Sequence, residues 1–315
     1  MIPKSAQKIN LANCMDGAYY ARIVIPERKK HMLVNMKGVL ADAAKGGYAI
    51  GGFNFASLES GMGAIRASEE LNMPFVLEHA PAHEEYIPFD VAAPIMVQLA
   101  KAAKTPVVAH LDHGDSVELC LKALRLGFSS VMFDGSSLPY EENIRQTAFV
   151  CKVAHEFGAT VEAELGAMPH NLKGELREYT PEDFYTRPEE AARFVAETGV
   201  DALAISFGTV HGVYKATPKL SFSVIDEVRK ATGDLPLVMH GGSGLSEDDY
   251  HQAISRGIRK INYYTYGAIA AGNAVREFVA ERGDDKIMFH DVAVCATAAV
   301  CEDVKRVMRI FAGNR

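Results

Sequence analysis

The 315-residue sequence has few cysteines, and no two of them stand at a close spacing. The five are Cys14, Cys120, Cys151, Cys295 and Cys301, and no C-x-x-C motif occurs. A scattered set of this kind is not a disulfide framework and is typical of reduced thiols inside a cell. We therefore expect a cytoplasmic protein.

The sequence also lacks a basic run and a long apolar segment. The formal net charge is -7, so neither nucleic acid nor a membrane surface is an expected partner. The opening residues, MIPKSAQKIN, contain no apolar signal core, and no apolar run is long enough to cross a bilayer. No linker or low-complexity segment divides the chain, and 48% of its residues are apolar, enough for a large core.

What the sequence contains, from residue 48 onward, is a regular alternation of short apolar runs and longer amphipathic segments. The predicted strands are YAIGGFN, MPFVLEHA, PVVAHLD, SSVMFDGS, ATVEAELG, DALAISFG, LPLVMHGG and IRKINYYT. The predicted helices are 36–45, 57–71, 89–104, 116–126, 140–157, 187–198, 221–232, 246–256, 267–281 and 292–311. Eight βα units favour a (β/α)8 TIM barrel over a doubly wound sheet. We expect one barrel domain over 1–315, with an N-terminal extension at 1–34 and C-terminal helices.

Histidines stand at or just beyond the carboxyl ends of three predicted strands. His113 follows PVVAHLD, His211 follows DALAISFGTV, and His240 follows LPLVM. Active sites of α/β barrels lie on the face where these strand ends meet, so the three imidazoles can converge on one ion. Zinc binds imidazole readily, and three protein ligands leave a fourth position for water or substrate. The pattern predicts a catalytic zinc site.

Three neighbours of these histidines have roles that the sequence leaves open. Asp112 immediately precedes a proposed ligand, which suits a general acid/base; the alternative is a carboxylate that only orients an imidazole. His110 is expected to be a packed, hydrogen-bonded histidine one layer deeper. Glu164, in predicted strand five, is either a partner of a metal ligand or an alternative ligand.

Glycine-rich turns follow predicted strands six and seven. They read FGTVHGVYK and HGGSG, and Asn262 and Thr265 follow at the end of strand eight. Glycines let backbone N–H groups approach an anion, and the loops after strands seven and eight are the usual phosphate site of this fold. We therefore expect a phosphorylated ligand.

Four motifs, taken together and in order, resemble a known enzyme family: HLDHG, FGTVHGVYK, VMHGGSG and KIN followed by Thr265. The family is that of the class II, zinc-dependent ketose-bisphosphate aldolases, which comprises the fructose- and tagatose-bisphosphate aldolases of carbohydrate metabolism. The resemblance runs from about residue 36 to the C-terminal helix. It implies reversible cleavage of a ketose phosphate, with dihydroxyacetone phosphate as the nucleophile half. It also implies one zinc ion per subunit acting as a Lewis acid, leaves open an additional monovalent cation, and implies a homodimer or homotetramer.

The resemblance assigns roles to individual residues around the ion. His113, His211 and His240 match the zinc ligands. Asp112 matches the acid/base that moves the proton of the hydroxyl next to the scissile bond, and Asn262 matches the amide that contacts the enediolate.

Further matches concern the phosphate and the loop after strand five. The residues that match the phosphate site are Gly212, Lys215, Gly241, Ser243 and Thr265. The loop AMPHNLKGELREYT is expected to supply a carboxylate for proton exchange on the enediolate. Glu175 is the candidate, with Glu178 behind it, and a solvated loop charge is the alternative reading of either residue.

Two positions after strand eight depart from the family. Where the family usually reads Ile-Asp-Thr-Asp, this chain has tyrosines at 263, 264 and 266, so Tyr264 replaces an acidic residue that touches substrate hydroxyls. At Ala268 the family often has an arginine that holds a second phosphate, and its loss removes a bidentate anion contact. We therefore expect a ketose 1-phosphate as the substrate in place of fructose 1,6-bisphosphate.

Two alternative functions remain at this point. A Schiff-base aldolase needs a desolvated lysine, and Lys260 is the only lysine in predicted strand eight. A metal- and phosphate-binding barrel without catalysis would account for the altered residues after strand eight. The joint presence of Asp112, the three histidines and Asn262 argues against that second alternative.

Overall fold

The apolar runs predicted as strands form a closed parallel barrel. The computed structural model describes residues 32–166, 184–214 and 218–313. Its strands are β1 (Ile50–Asn54), β2 (Phe75–His79), β3 (Val107–Gly114), β4 (Ser130–Phe133), β5 (Thr160–Leu165), β6 (Ala202–Ile205), β7 (Leu237–Met239) and β8 (Ile258–Tyr263). Each strand pairs with the next along the chain, and β1 also pairs with β8. The predicted (β/α)8 fold is confirmed.

Helices alternate with the strands and continue after the last one. They are α1 (Met36–Gly46), α2 (Leu58–Leu71), α3 (Phe89–Ala102), α4 (Val117–Arg125), α5 (Tyr140–Glu156), α6 (Pro188–Thr198), α7 (Phe222–Thr232), α8 (Glu247–Arg256), α9 (Thr265–Arg282) and α10 (Phe289–Ala312). α10 packs against α2 and α9 and covers one side of the barrel. The predicted C-terminal helices are thus present, and each begins slightly earlier than expected. No helix within the described ranges is long and apolar enough to span a membrane.

Serine caps fix where three of these helices begin. Ser57, Ser116 and Ser246 each accept a backbone N–H from the first turn of α2, α4 and α8. Each cap satisfies a backbone donor that would otherwise have no partner in the helix. The caps therefore set where α2, α4 and α8 begin after β1, β3 and β7.

The side chains that point into the barrel change in character from its amino-terminal end to its carboxyl-terminal end. Near the amino-terminal end of the barrel, Val76, Val108 and Val238 are buried together with Met36 and Leu40 of α1. Because side chains of a strand alternate between its two faces, the residue two positions further along each strand faces inward again. Those residues are Glu78, His110 and His240, which are all polar and buried. This change from apolar to polar marks the depth at which the candidate site begins.

The segment before α1 joins the barrel at β3. Leu33 forms a parallel bridge with Val107, the N–H of Val107 donates to the carbonyl of Met32 at 2.9 Å, and the N–H of Val34 donates to that of Val107 at 3.0 Å. The expected N-terminal extension at 1–34 meets the barrel through these three residues, and residues 1–31 lie outside the described part.

Candidate active site

The three predicted metal ligands converge at the carboxyl-terminal end of the barrel. His113 lies in β3, and His211 and His240 follow β6 and β7. The ring centroid of His113 is 5.1 Å from that of His211 and 4.6 Å from that of His240, and the rings of His211 and His240 are 6.0 Å apart. Each ring offers a nitrogen within 4.8 Å of the others. Three imidazoles from distant segments therefore surround one small space.

The backbone of His113 leaves the regular strand geometry. Its φ is 48°, in the left-handed region that residues other than glycine rarely adopt, and the register between β3 and β4 shifts here. Nδ1 of the ring lies 2.7 Å from Oδ2 of Asp134. Because an ionised carboxylate can only accept, Nδ1 donates, which leaves Nε2 as the ring nitrogen that can bind an ion. That Nε2 is buried without a hydrogen-bond partner in the described chain.

His240 is fully buried between two glutamates of β5. Its Nε2 lies 2.8 Å from Oε1 of Glu162, and its Nδ1 lies 3.1 Å from Oε2 of Glu164 without the alignment of a hydrogen bond. Burial lowers the pKa of the imidazole, but the two carboxylates outweigh burial and raise the pKa to about 10. Donation from Nε2 to Glu162 makes Nδ1 the ring nitrogen that can bind an ion.

Asp112 lies beside the histidines and is held by two amides. Its Oδ2 accepts from Nδ2 of Asn54 at 3.0 Å, and its Oδ1 accepts from Nδ2 of Asn262 at 3.0 Å. Burial raises the pKa of this carboxyl, but the positive charge of His113, His240 and nearby Lys260 outweighs burial and holds the pKa well below its usual range. Asp112 is therefore an ionised carboxylate. Its Oδ1 is 3.9 Å from Nε2 of His113, so it does not orient that ring.

A layer of paired charges lies deeper in the barrel. Nζ of Lys260 is 2.7 Å from Oε1 of Glu78 and 2.9 Å from Oε2 of Glu162, and all three side chains are fully buried. Burial lowers the pKa of the Lys260 ammonium, but the two carboxylates outweigh it and raise that pKa. His110 is buried beside them and contacts the hydroxyl of a β4 serine through Nδ1 at 2.8 Å, as expected of a packed histidine.

Two of these partners were missed in the sequence. Glu162 and Asp134 each orient one histidine, whereas Asp112 and Glu164 were the candidates for that role in the sequence. The signal for Glu162 was the alternation in TVEAEL, which places Glu162 and Glu164 on one face of β5. Asp134 gave the weaker signal of a polar residue directly after the apolar run of β4.

The loops after β6 and β7 interlock around Gly241. This glycine has a φ of 64°, and a Cβ on it would lie 2.5 Å from the carbonyl oxygen of Val210. The hydroxyl of Tyr214 accepts from the N–H of Val210 at 3.2 Å and donates to the carbonyl of Gly241 at 2.9 Å. Gly212, which lies between Val210 and Tyr214 in the same loop, has a φ of 90°. Only glycine suits both positions, and the two turns form one joined surface.

The remaining phosphate candidates lie next to this surface or outside the described residues. Oγ of Ser243 accepts from the N–H of Tyr264 at 2.9 Å, and Thr265 begins α9. A helix start presents backbone N–H groups that favour an anion. Lys215, Glu175 and Glu178 fall in the ranges that the structure leaves undescribed.

The unusual tyrosines at the end of β8 make two kinds of contact. The hydroxyl of Tyr263 donates to Asp303 of α10 at 2.8 Å, which ties β8 to the C-terminal helix. The ring of Tyr264 packs against the buried ring of His83, with centroids 4.6 Å apart. His83 belongs to a short 3-10 helix, Pro81–His83, between β2 and α3, which the sequence did not predict.

The donor set suits a divalent ion. Nε2 of His113 and Nδ1 of His240 are buried without hydrogen bonds, a costly state for polar atoms unless a ligand binds them. His113 also forms a second possible group with Asp134 and Glu164, again with donor atoms within 4.8 Å of one another. Imidazole and carboxylate donors together are typical of a transition-metal site.

Comparison with known proteins agrees with this geometry. The family model described as fructose-bisphosphate aldolase class-II matches residues 34–314. The chain is 41% identical over 285 residues to the fructose-bisphosphate aldolase of Staphylococcus aureus, covering 89% of this chain and 97% of that protein. It is 39% identical over 284 residues to the fructose-bisphosphate aldolase of Staphylococcus epidermidis, covering 89% of this chain and 97% of that protein.

A solved structure is also similar. The crystal structure of the YdjI aldolase from Escherichia coli K12 matches with a TM-score of 0.77 and 36% sequence identity, covering 89% of this chain and 97% of that one. Its barrel therefore agrees with this one over most of the described residues. The chain belongs to the class II fructose-bisphosphate aldolase family and is a metal-dependent aldolase.

Proposed function

We propose that this aldolase reversibly cleaves a ketose 1-phosphate, with dihydroxyacetone phosphate as the nucleophile half, at one zinc ion held by His113, His211 and His240. The observation that carries the proposal is the convergence of three ring nitrogens within 4.8 Å of one another beside an ionised carboxylate. When bound, the ion supplies Lewis-acid stabilisation of the negative charge that develops on the ketose oxygens.

Asp112 moves the proton at the aldehyde oxygen. In cleavage its carboxylate takes the proton of the hydroxyl next to the scissile bond. The electron pair of the O–H bond forms the aldehyde carbonyl, and the pair of the broken C–C bond stays on the dihydroxyacetone phosphate half. In condensation the protonated Asp112 returns the proton to the aldehyde oxygen. The lowered pKa of Asp112 supplies the basic form that cleavage needs.

The phosphate of dihydroxyacetone phosphate binds at the joined turns after β6 and β7 and at the start of α9. Gly212 and Gly241 offer backbone N–H groups, Ser243 offers a hydroxyl, and Thr265 lies at the helix start. Lys215 adds a cation from the same loop, and Glu175 exchanges the proton on the carbon that becomes nucleophilic. These last two assignments rest on the sequence motifs.

The surroundings of Lys260 argue against the Schiff-base alternative. An amine nucleophile must first lose its proton, whereas the carboxylates of Glu78 and Glu162 raise the pKa of Lys260. We expect borohydride to trap no substrate on the protein and a chelator to inactivate it. Zinc as the ion, a homodimer or homotetramer, and a cytoplasmic location stay predictions.

Proton exchange on dihydroxyacetone phosphate tests the proposal without any aldehyde. Zinc-loaded protein in deuterium oxide should exchange a hydroxymethyl proton of dihydroxyacetone phosphate, as seen by NMR. A chelator should stop the exchange, and added zinc should restore it. Absence of exchange in zinc-loaded protein would contradict the proposal and favour a barrel without catalysis.

A further inference from the structure

A large cavity lies next to Asn54, where the wall of the barrel meets the helices that cover it. It has a volume of about 550 Å³ and lies between the ends of β1 and β8, the start of α2, and helices α9 and α10. Most of its described lining is aromatic or aliphatic, including Tyr86, Tyr264, Ala268, Ala271, Phe289 and Ala293. A cavity of this size and character suits a small organic ligand.

Two residues join this cavity to the proposed catalytic centre. Asn54 lines the cavity, and its amide donates to Asp112 at 3.0 Å. Tyr264 also lines the cavity, and its N–H donates to Ser243 of the phosphate turn at 2.9 Å. The cavity is therefore separated by Asn54 from the carboxylate that handles the aldehyde oxygen, and neither Asp112 nor the glycine turns belong to its described lining.

The charge of the cavity limits what can bind there. Among the described lining residues, Glu59 is the only charged one, and no lysine or arginine is present. A phosphate or carboxylate would meet a like charge there and would lose its hydration without a cation to replace it. The lining therefore favours an uncharged group.

The volume gives a second limit. A three-carbon aldehyde would leave most of the 550 Å³ unfilled, whereas a longer alkyl chain or an aromatic ring would bury its apolar surface against the tyrosines and alanines. Burial of apolar surface is favourable in proportion to the area removed from water. Offset or edge contacts with Tyr86 and Tyr264 would add to the binding of an aromatic ring.

We propose that this cavity is the aldehyde subsite and that it takes an uncharged aldehyde with an extended apolar chain or ring. The inference rests on the proposed function, because the aldehyde carbonyl must lie at Asp112. The chain then passes between Asn54 and Tyr264 into the cavity. The side chains of Ala268 and Ala271 set how much of the chain fits, and Glu59 disfavours anionic aldehydes.

A panel of aldehydes tests this inference. Zinc-loaded protein is given dihydroxyacetone phosphate with propanal, hexanal, 3-phenylpropanal or glyceraldehyde 3-phosphate, and kcat/KM of condensation is measured. We expect kcat/KM to rise about threefold for each added methylene and to be at least about tenfold lower for glyceraldehyde 3-phosphate than for 3-phenylpropanal. A preference for the phosphorylated aldehyde, or no dependence on chain length, would overturn the inference.

A substitution in the cavity gives an independent readout. Ala271→Trp narrows the cavity, so we expect kcat/KM to fall about tenfold for 3-phenylpropanal and to stay within about twofold for propanal. Ala280→Trp, on the exposed surface of the same helix, is the matched control and should change neither. An equal loss for all aldehydes together with a changed oligomeric mass would identify the cavity as an interface between copies of the chain and overturn the inference.

Proton exchange on dihydroxyacetone phosphate distinguishes a failure of the subsite inference from a failure of the proposed function. The wild type and the surface control Ala280→Trp should exchange at the same rate, because this exchange requires no aldehyde. If the wild type exchanges but long aldehydes have no advantage, only the subsite inference fails. If the wild type does not exchange, the proposed function itself fails.

Discussion

The mouth of the barrel has two sides of opposite character. The side formed by β3, β6 and β7 carries imidazoles, an ionised carboxylate and glycine turns. The other side holds the cavity between β1, β8 and the helices α2, α9 and α10, and its described lining is mainly aromatic and aliphatic, with Glu59 as the one charged residue. The first side offers lone pairs and N–H groups at fixed positions, which bond cleavage requires. The second side offers mainly an apolar surface of defined shape, which can select substrates by the size of their side chain.

The two sides also differ in how they are supported. On the polar side His113 is held by Asp134 and His240 by Glu162. Glu162 is held in turn by the buried ammonium of Lys260. On the apolar side Tyr86 and Phe289 are 69% and 83% exposed. The geometry of the chemistry is therefore tied to the barrel interior, whereas part of the cavity lining is exposed.

Removing one histidine from the polar side should have the largest effect. His240→Ala should lose the ion and reduce cleavage by more than about a thousandfold, because the Lewis acid supplies several kcal/mol of stabilisation. Elemental analysis of the purified protein and the cleavage rate measure the two effects. Full metal occupancy in this variant would remove His240 from the ligand set, and the same test applies to His211.

Replacing the proton carrier should separate chemistry from metal binding. Asp112→Ala should lower kcat by about 100- to 10,000-fold, the usual range for loss of a general acid/base, with zinc still bound. Proton exchange on dihydroxyacetone phosphate should persist, because Asp112 acts on the aldehyde oxygen. Loss of zinc in this variant would instead make Asp112 a ligand.

The hydrogen bond from His240 to Glu162 should increase the affinity of the site for zinc. Glu162→Gln keeps the shape of the side chain but removes the charge that holds the proton on Nε2. We expect zinc affinity to fall about 10- to 100-fold, measured by competition with a chromophoric chelator. Glu227→Gln, an exposed residue of α7, is the control, and equal affinities in the two variants would show that Glu162 has no such role.

Zinc binding should release a proton and strengthen as the pH rises. In the metal-free protein the pKa of His240 is raised to about 10, so the imidazole is protonated at neutral pH and the ion must displace that proton. The apparent affinity should rise about tenfold per pH unit for each displaced proton. Calorimetry in buffers of different ionisation enthalpy counts the protons, and a count of zero would contradict this charge state.

The smallest expected effect is a change of preference on the apolar side. Tyr264→Asp combined with Ala268→Arg adds an acidic group and a cation next to the cavity. We expect the ratio of kcat/KM for fructose 1,6-bisphosphate to that for fructose 1-phosphate to rise about tenfold. An unchanged ratio would mean that specificity lies at other residues.

Local pattern in the sequence was enough to predict the barrel and the convergence of the histidines. Short apolar runs predicted the strands, the amphipathic segments between them predicted the helices, and polar strand ends predicted the face of the site. His113, His211 and His240 could be placed together because strand ends in a barrel share one face. The phosphate turns followed from glycines at two of those ends.

Contacts across the barrel could not be predicted in the same way. Glu78, Glu162 and Lys260 come from three strands, and which of them meet depends on the tilt and stagger of the closed sheet. The left-handed backbone of His113 is rare for every residue except glycine, so the residue type alone does not predict it. The cavity is formed by α9 and α10 folding back on β1, a packing that no local pattern encodes.

The most direct test of the account is the location of the ion in crystals of zinc-loaded protein by anomalous diffraction at the zinc edge. The account predicts one strong peak about 2.0–2.1 Å from a ring nitrogen of each of His113, His211 and His240, with Asp112 outside the coordination sphere. A peak bound by Asp134 and Glu164 while His211 and His240 point elsewhere would contradict it.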